Sequence, residues 1–230
     1  MALKPLKNIP KTIGHTSVSD KKTIEKYPEN YWAYIGIGQV TNELESEKLA
    51  YDYMLQHATE INDKTAIKKL KKFDRNSPDF PQLDYMMTTR TSLMNKYGIG
   101  MTRENISMVA LLKELMLFKG YTFTEKINYL RGSLFSLTHL GMSDDIINDN
   151  LFESSASFQV PIFIVHGKYD YQVSYALARE WFEKIDAPEK AFFSFENSAH
   201  SPNMEEPEKF VQIIREVALK SKKVSNGESY

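Results

Sequence analysis

Apolar positions along this chain change rhythm twice. Tyr31 to Ile37 (YWAYIGI) is an unbroken aromatic and β-branched run that ends at Gly38, which predicts a buried strand closing on a tight turn. From Glu43 to about Gly141 the spacing is helical: Leu44, Tyr51, Leu55, Ala58 and Ile61 recur at intervals of three, four or seven, with charged residues between them. Breaks at Asn76-Ser77-Pro78 with Pro81, at Gly98 to Gly100 and at Gly120 divide this stretch into several helices. Past Ser154-Ser155 strands return. Pro161 to His166 (PIFIVH) is continuously apolar, as expected of a parallel strand covered on both faces, and Ala191 to Phe195 (AFFSF) reads as another strand. Between them Val173, Leu177, Trp181 and Ile185, spaced by four, predict a helix. Phe210, Ile213, Ile214 and Val217 predict a last helix opening near Pro207, a residue suited to a first helical turn.

Strand, helix, strand, helix is the grammar of a parallel α/β unit with a right-handed crossover. The fold class expected is therefore α/β, with a short parallel sheet of about three strands and a large helical insertion. The chain divides into an N-terminal remnant with the first core strand (1–42), a helical cap (43–153), a C-terminal core (154–220) and a flexible polar tail (221–230). Lys4, Lys7 and Lys11 with Pro5 and Pro10 make the opening segment poor strand material.

In a parallel sheet the loops leaving the carboxyl ends of neighbouring strands open on one edge, where ligands bind. Asp170 lies four positions after His166 and His200 five after Phe195, each following a strand end. Adjacent strands are only about 4.8 Å apart, so these two side chains are expected to meet. A carboxylate on one imidazole nitrogen fixes the tautomer and stabilises the imidazolium, which makes the other nitrogen a general base. Asp170 as a helix-capping turn and His200 as a solvated loop histidine are the plainer alternatives. His166 reads as the end of a core strand.

Composition narrows the classes. Lysine and arginine total 29 against 30 acidic residues, a formal charge of −1, which gives no pull toward nucleic acid or an anionic membrane. With no cysteine in its 230 residues the chain has no disulfide, thiolate zinc site or cysteine nucleophile, in keeping with a reducing compartment. The first residues lack the apolar core of a secretory signal, and no apolar run of about 18 residues occurs; a cytoplasmic location is expected. His15, His57 and His139 lack metal-ligand spacing, so no metal is assigned. Gly36-Ile37-Gly38 reads as a strand-end turn rather than a dinucleotide fingerprint, and no cofactor is expected. Tyr85, Met86 and Met87 with Met94, Met101 and Met108 read as plain core ahead of an adaptable pocket lining. Lys64 to Arg75 reads as a solvated helix face, and Asn105-Ile106-Ser107 is a glycosylation acceptor of consequence only after secretion.

Two stretches, HGKYDYQVSYALA and ENSAHSPNMEEPEKF, resemble the closing acid-and-histidine half of α/β-hydrolases. YPENYWAYIGIGQVTNELESEKLAYDYML resembles the strand and first lid helix that follow the nucleophile in bacterial proline-iminopeptidase-like members. The resemblance covers roughly residues 27 to 217. It implies a partial α/β-hydrolase fold with a helical cap, Asp170 as acid and His200 as base. The activity implied is that of a serine hydrolase, aminopeptidase or esterase, acting on a short peptide or small ester without a cofactor. The departure is at the amino end, where the family would place several strands, an oxyanion-hole loop and the nucleophile before YPENY, and here 26 residues stand. In Gly14-His15-Thr16-Ser17-Val18 threonine occupies the serine position of G-x-S-x-G and valine the second glycine, so Ser17 is not assigned as nucleophile. The expectation is an incomplete triad in a truncated or remodelled product whose first strand offers a free edge for homo-oligomer formation. The alternative is a hydrolase-like protein that binds a partner without catalysis.

Overall fold

A computed structural model of the chain describes residues 23–104, 108–138, 147–148, 150–153 and 157–225. The Gly14 to Val18 segment with Ser17, His15, His139, the Asn105-Ile106-Ser107 acceptor and the last five residues lie outside them.

Three strands, β1 (Tyr34–Ile37), β2 (Ile162–Gly167) and β3 (Lys190–Phe195), form one parallel sheet in the order β1-β2-β3. Tyr34 stands opposite Ile162, and Ile162 opposite Lys190. The first strand starts later than its apolar run predicts. Pro28–Asn30 makes a 3-10 turn closed by the Tyr31 N–H on the Pro28 carbonyl, and the ladder opens only where the Tyr34 N–H reaches Pro161.

The insertion between β1 and β2 is helical: α1 (Glu43–Glu60), α2 (Lys64–Leu70), a π-helical turn (Tyr85–Arg90) running into α3 (Thr91–Tyr97), then α4 (Met108–Leu117) and α5 (Phe123–Thr138). Side-chain caps mark two of the starts, since Asn42 accepts from the Glu45 N–H and Asp63 from the Ala66 N–H. Ala50, Met54 and Ala58 of α1 bury against Ala66, Leu70, Tyr85, Leu93 and Met94, giving this part its own core. The helical spacing misplaces one residue, for Ile61 follows the last turn of α1 and is 53% exposed. Of the Tyr85 and methionine group, Tyr85 and Met94 are core as expected. Met87 and Met101 are 61% and 46% exposed, the first turned outward in the π-helical turn and the second in the irregular segment after α3.

Beyond β2 come α6 (Tyr175–Lys184), a short α7 (Pro202–Glu205) and α8 (Pro207–Ser225), the last reaching into the polar stretch that the sequence gives as tail. Alternate β2 residues face opposite layers. Ile162 and Ile164 pack with Trp181, Phe182 and Ile185 on one side, while Phe163 and Val165 pack with Ile213 and Val217 on the other. A strand covered twice needs apolar residues at every position, which is why PIFIVH does not alternate. Each of these fully buried side chains contributes roughly 1.5–3 kcal/mol. Among the described residues no helix is long and apolar enough to cross a membrane, and no cluster of three or more His, Asp and Glu side chains could hold a metal ion.

Candidate active site

The loops after β2 and β3 cross at Gly167. A Cβ there would lie 2.0 Å from the Ala199 carbonyl oxygen and 2.4 Å from that of Ser198, so the crossing admits no side chain. The Lys168 N–H donates to Phe195 at 2.9 Å and the Tyr169 N–H to Ser198 at 3.0 Å, lacing one loop onto the other. That lacing brings the two sequence-predicted residues together. His200 Nδ1 donates to Asp170 Oδ2 at 2.9 Å, with Asp170 1% and His200 7% exposed.

Asp170 has more partners than its place in the sequence suggests. Its Oδ1 accepts the Val173 N–H at 3.0 Å, and His166 Nε2 lies 3.1 Å from its Oδ2. Burial, the largest influence, pushes this carboxyl upward, yet the hydrogen bonds and charges of His166 and His200 outweigh it and hold the group below the ordinary carboxylate value. His166 does end a buried strand, as its sequence context indicates, but it also touches the acid. The only cue was its four-residue separation from Asp170 across Gly167.

A segment after α3 ties both loops to the insertion. The Ile99 carbonyl accepts the Tyr171 N–H and the Gly100 carbonyl accepts the His200 N–H, each at 3.1 Å. Glu205 joins the same segment to the histidine loop, its Oε1 accepting the Arg103 N–H and its Oε2 the Ala199 N–H at 2.7 Å. The Arg103 guanidinium also stacks 3.4 Å from the Tyr169 ring centre. Glu206 accepts from the Asn197 N–H and the Ser198 hydroxyl. In the sequence Glu205-Glu206 is only an acidic pair before a helix.

On the other side, α1 presents a buried charge cluster. Arg90 Nε donates to Glu47 Oε1 at 2.6 Å, and the Arg90 guanidinium reaches the Gln172 carbonyl at 3.3 Å, beside Asp170. The Ser174 N–H donates to Ser46, a second link from α1 to the acid loop. Burial first, then the Glu47 and Asp170 charges against the opposing pull of Arg90, raises the Glu43 carboxyl to about 8. A cavity of about 300 Å3 opens between α1 and this loop, with Tyr53, Tyr171, Tyr175 and Asp170 in its wall. His57, one of the histidines set aside as a metal ligand, stacks on Tyr53 and abuts Tyr97.

No family model matches the chain. It is 30% identical over 205 residues to YbaC of Bacillus subtilis (strain 168), described as a probable aminopeptidase, over 87% of this chain and 62% of that one. The fold superposes on a proline iminopeptidase of Mycobacterium smegmatis with a TM-score of 0.58 at 10% identity, over 89% of this chain and 62% of that one. The chain thus spans about 62% of the length of both relatives.

Proposed function

The chain belongs to the α/β-hydrolase superfamily, and on that premise we propose that Asp170 and His200 are the acid and base of a serine-hydrolase site. The observation that carries this reading is the buried 2.9 Å hydrogen bond from His200 Nδ1 to Asp170 Oδ2 at the carboxyl edge of a parallel sheet. With Nδ1 committed to the carboxylate, Nε2 is the nitrogen that accepts a proton from an attacking hydroxyl. Asp170 stabilises the imidazolium so formed, and the proton then passes to the leaving amine or alcohol. The name of the B. subtilis relative favours release of the N-terminal residue of a short peptide over cleavage of a small ester.

Aminoacyl 4-nitroanilides and 4-nitrophenyl acetate, with a fluorophosphonate probe, test the reading on the full chain. Covalent labelling, with turnover that falls on the order of 10³-fold or more in His200→Ala, is the expected result where an attacking hydroxyl completes the pair that the sequence leaves without an assigned nucleophile. Peptide mapping of the labelled protein identifies the attacking hydroxyl. A chain that neither turns over nor takes the label, or a His200→Ala variant with undiminished turnover, overturns it.

A further inference from the structure

Two histidines hold Asp170, and the proposed chemistry uses one. His166 is fully buried, and its Nε2 lies 3.1 Å from both Asp170 Oδ2 and the Val173 carbonyl oxygen. A carbonyl oxygen only accepts, so Nε2 carries the hydrogen; a bare Nε2 would aim its lone pair at two oxygens. Nδ1 is then the unprotonated nitrogen, and it is buried without a hydrogen-bond partner among the described residues. The ring is held in place by Phe192, stacked with centroids 6.2 Å apart, and by Tyr175, edge-on at 5.7 Å, whose hydroxyl is itself bonded to Ser194.

We propose that His166 is a positioning residue for the acid–base pair: its Nε2–H, bonded to the Val173 carbonyl, also lies 3.1 Å from Asp170 Oδ2, where its positive end keeps the buried carboxylate ionised and limits how tightly the pair holds its shared proton. The proposal rests on reading Asp170 and His200 as that pair. Carboxylate with neutral imidazole carries one net negative charge, whereas carboxylate with imidazolium carries none. An N–H donor at Oδ2 stabilises the first state more than the second. It therefore lowers the proton affinity of the pair as a whole, whichever member bears the proton. Among the described residues, the titratable groups around this carboxylate are the two imidazoles, from β2 and from the loop after β3, and Glu43 at the start of α1, whose carboxyl feels the Asp170 charge, with Lys168, Tyr171 and Tyr175 in the same cavity wall. His166 itself meets Tyr175 from α6.

Imidazole ¹H–¹⁵N spectra of the full-length chain, with His166→Phe and His166→Gln, provide the test. The wild-type ring at 166 is expected as the Nε2–H tautomer. In His166→Phe, which keeps a ring against Phe192 but loses the donor, the His200 titration midpoint should rise by about 0.5 to 1 unit. In His166→Gln, whose amide can donate from nearly the same point, the midpoint should return toward the wild-type value. A packing role alone would admit water on truncation and leave the midpoint unchanged or lower it. That outcome, or an Nδ1–H ring at 166 in the wild type, overturns the proposal, and the second is read on the wild type even where a variant does not fold. None of these readouts requires turnover, so a chain that hydrolyses nothing would refute the hydrolase reading and leave this result standing.

Discussion

Gly38 backs directly onto the imidazole of His200: a Cβ on Gly38 would lie 2.8 Å from both Cε1 and Nδ1 of that ring, and the glycine has a φ of 57°. The turn that ends β1 therefore forms one wall of the slot in which His200 meets Asp170. All three strand ends contribute, β1 the wall, β2 the acid and β3 the base.

Gly38→Ala should damage the pair and the fold together. The left-handed backbone costs an alanine about 1–2 kcal/mol, and its methyl must displace the imidazole from the Asp170 carboxylate. A stability loss of roughly 1–3 kcal/mol in urea unfolding and a fall in turnover of at least about 100-fold are expected. Wild-type values for both would show that the ring moves aside freely.

Glu205 spans two chain segments, accepting from Arg103 N–H in the insertion and Ala199 N–H in the histidine loop. In Glu205→Ala both amides lose a charged acceptor, at a cost of about 1–3 kcal/mol. Hydrogen exchange at Arg103 and Ala199 should accelerate while the amides of β2 stay protected. The kinetic effect should fall on kcat more than on KM, because the loop that positions His200 loosens. Unchanged exchange at those two amides would remove Glu205 from the positioning of that loop.

The same contacts explain what could be read from the sequence. The β2 and β3 segments announce themselves as short apolar runs, and Asp170 and His200 follow from counting residues past each strand end, because a parallel sheet puts those ends on one edge. Apart from its four-residue separation from Asp170, His166 is hidden, because a histidine within an apolar run carries no sign of what its ring faces. Glu47 and Arg90 meet across 43 residues, and Glu205 and Arg103 across 102, so no local spacing could pair them. Met87 shows the limit of periodicity from another side, since a π-helical turn shifts a residue off the face that a 3.6-residue repeat assigns to it.

Glu47 and Arg90 bind α1 to the π-helical turn by two guanidinium contacts to one buried carboxylate oxygen. Glu47→Ala leaves Arg90 charged and enclosed without its partner, which is expected to cost about 3–5 kcal/mol. Arg90 also reaches the Gln172 carbonyl, so the loop holding Asp170 should show faster amide exchange in the same variant. A loss below about 1 kcal/mol would mean that the ion pair merely balances its own desolvation.

Glu43 and Asp170 give stability opposite dependences on pH. The Asp170 carboxyl is held below its ordinary value of 3.8, so its contribution is present above that pH and is lost as pH falls through the folded value. The Glu43 carboxyl is raised by burial from 4.5 to about 8, so the folded chain keeps a proton that the unfolded chain gives up; this contribution is complete below pH 4.5 and is lost as pH rises toward 8. Urea unfolding should therefore show a maximum near pH 4–5 and a decline to pH 8, on the order of 4 kcal/mol of it due to Glu43. In Glu43→Gln the decline should flatten while the acid limb, to which Asp170, Asp63 and Glu125 all contribute because each is held below its ordinary value, stays where it is. A decline as steep as that of the wild type would assign the alkaline loss to another group.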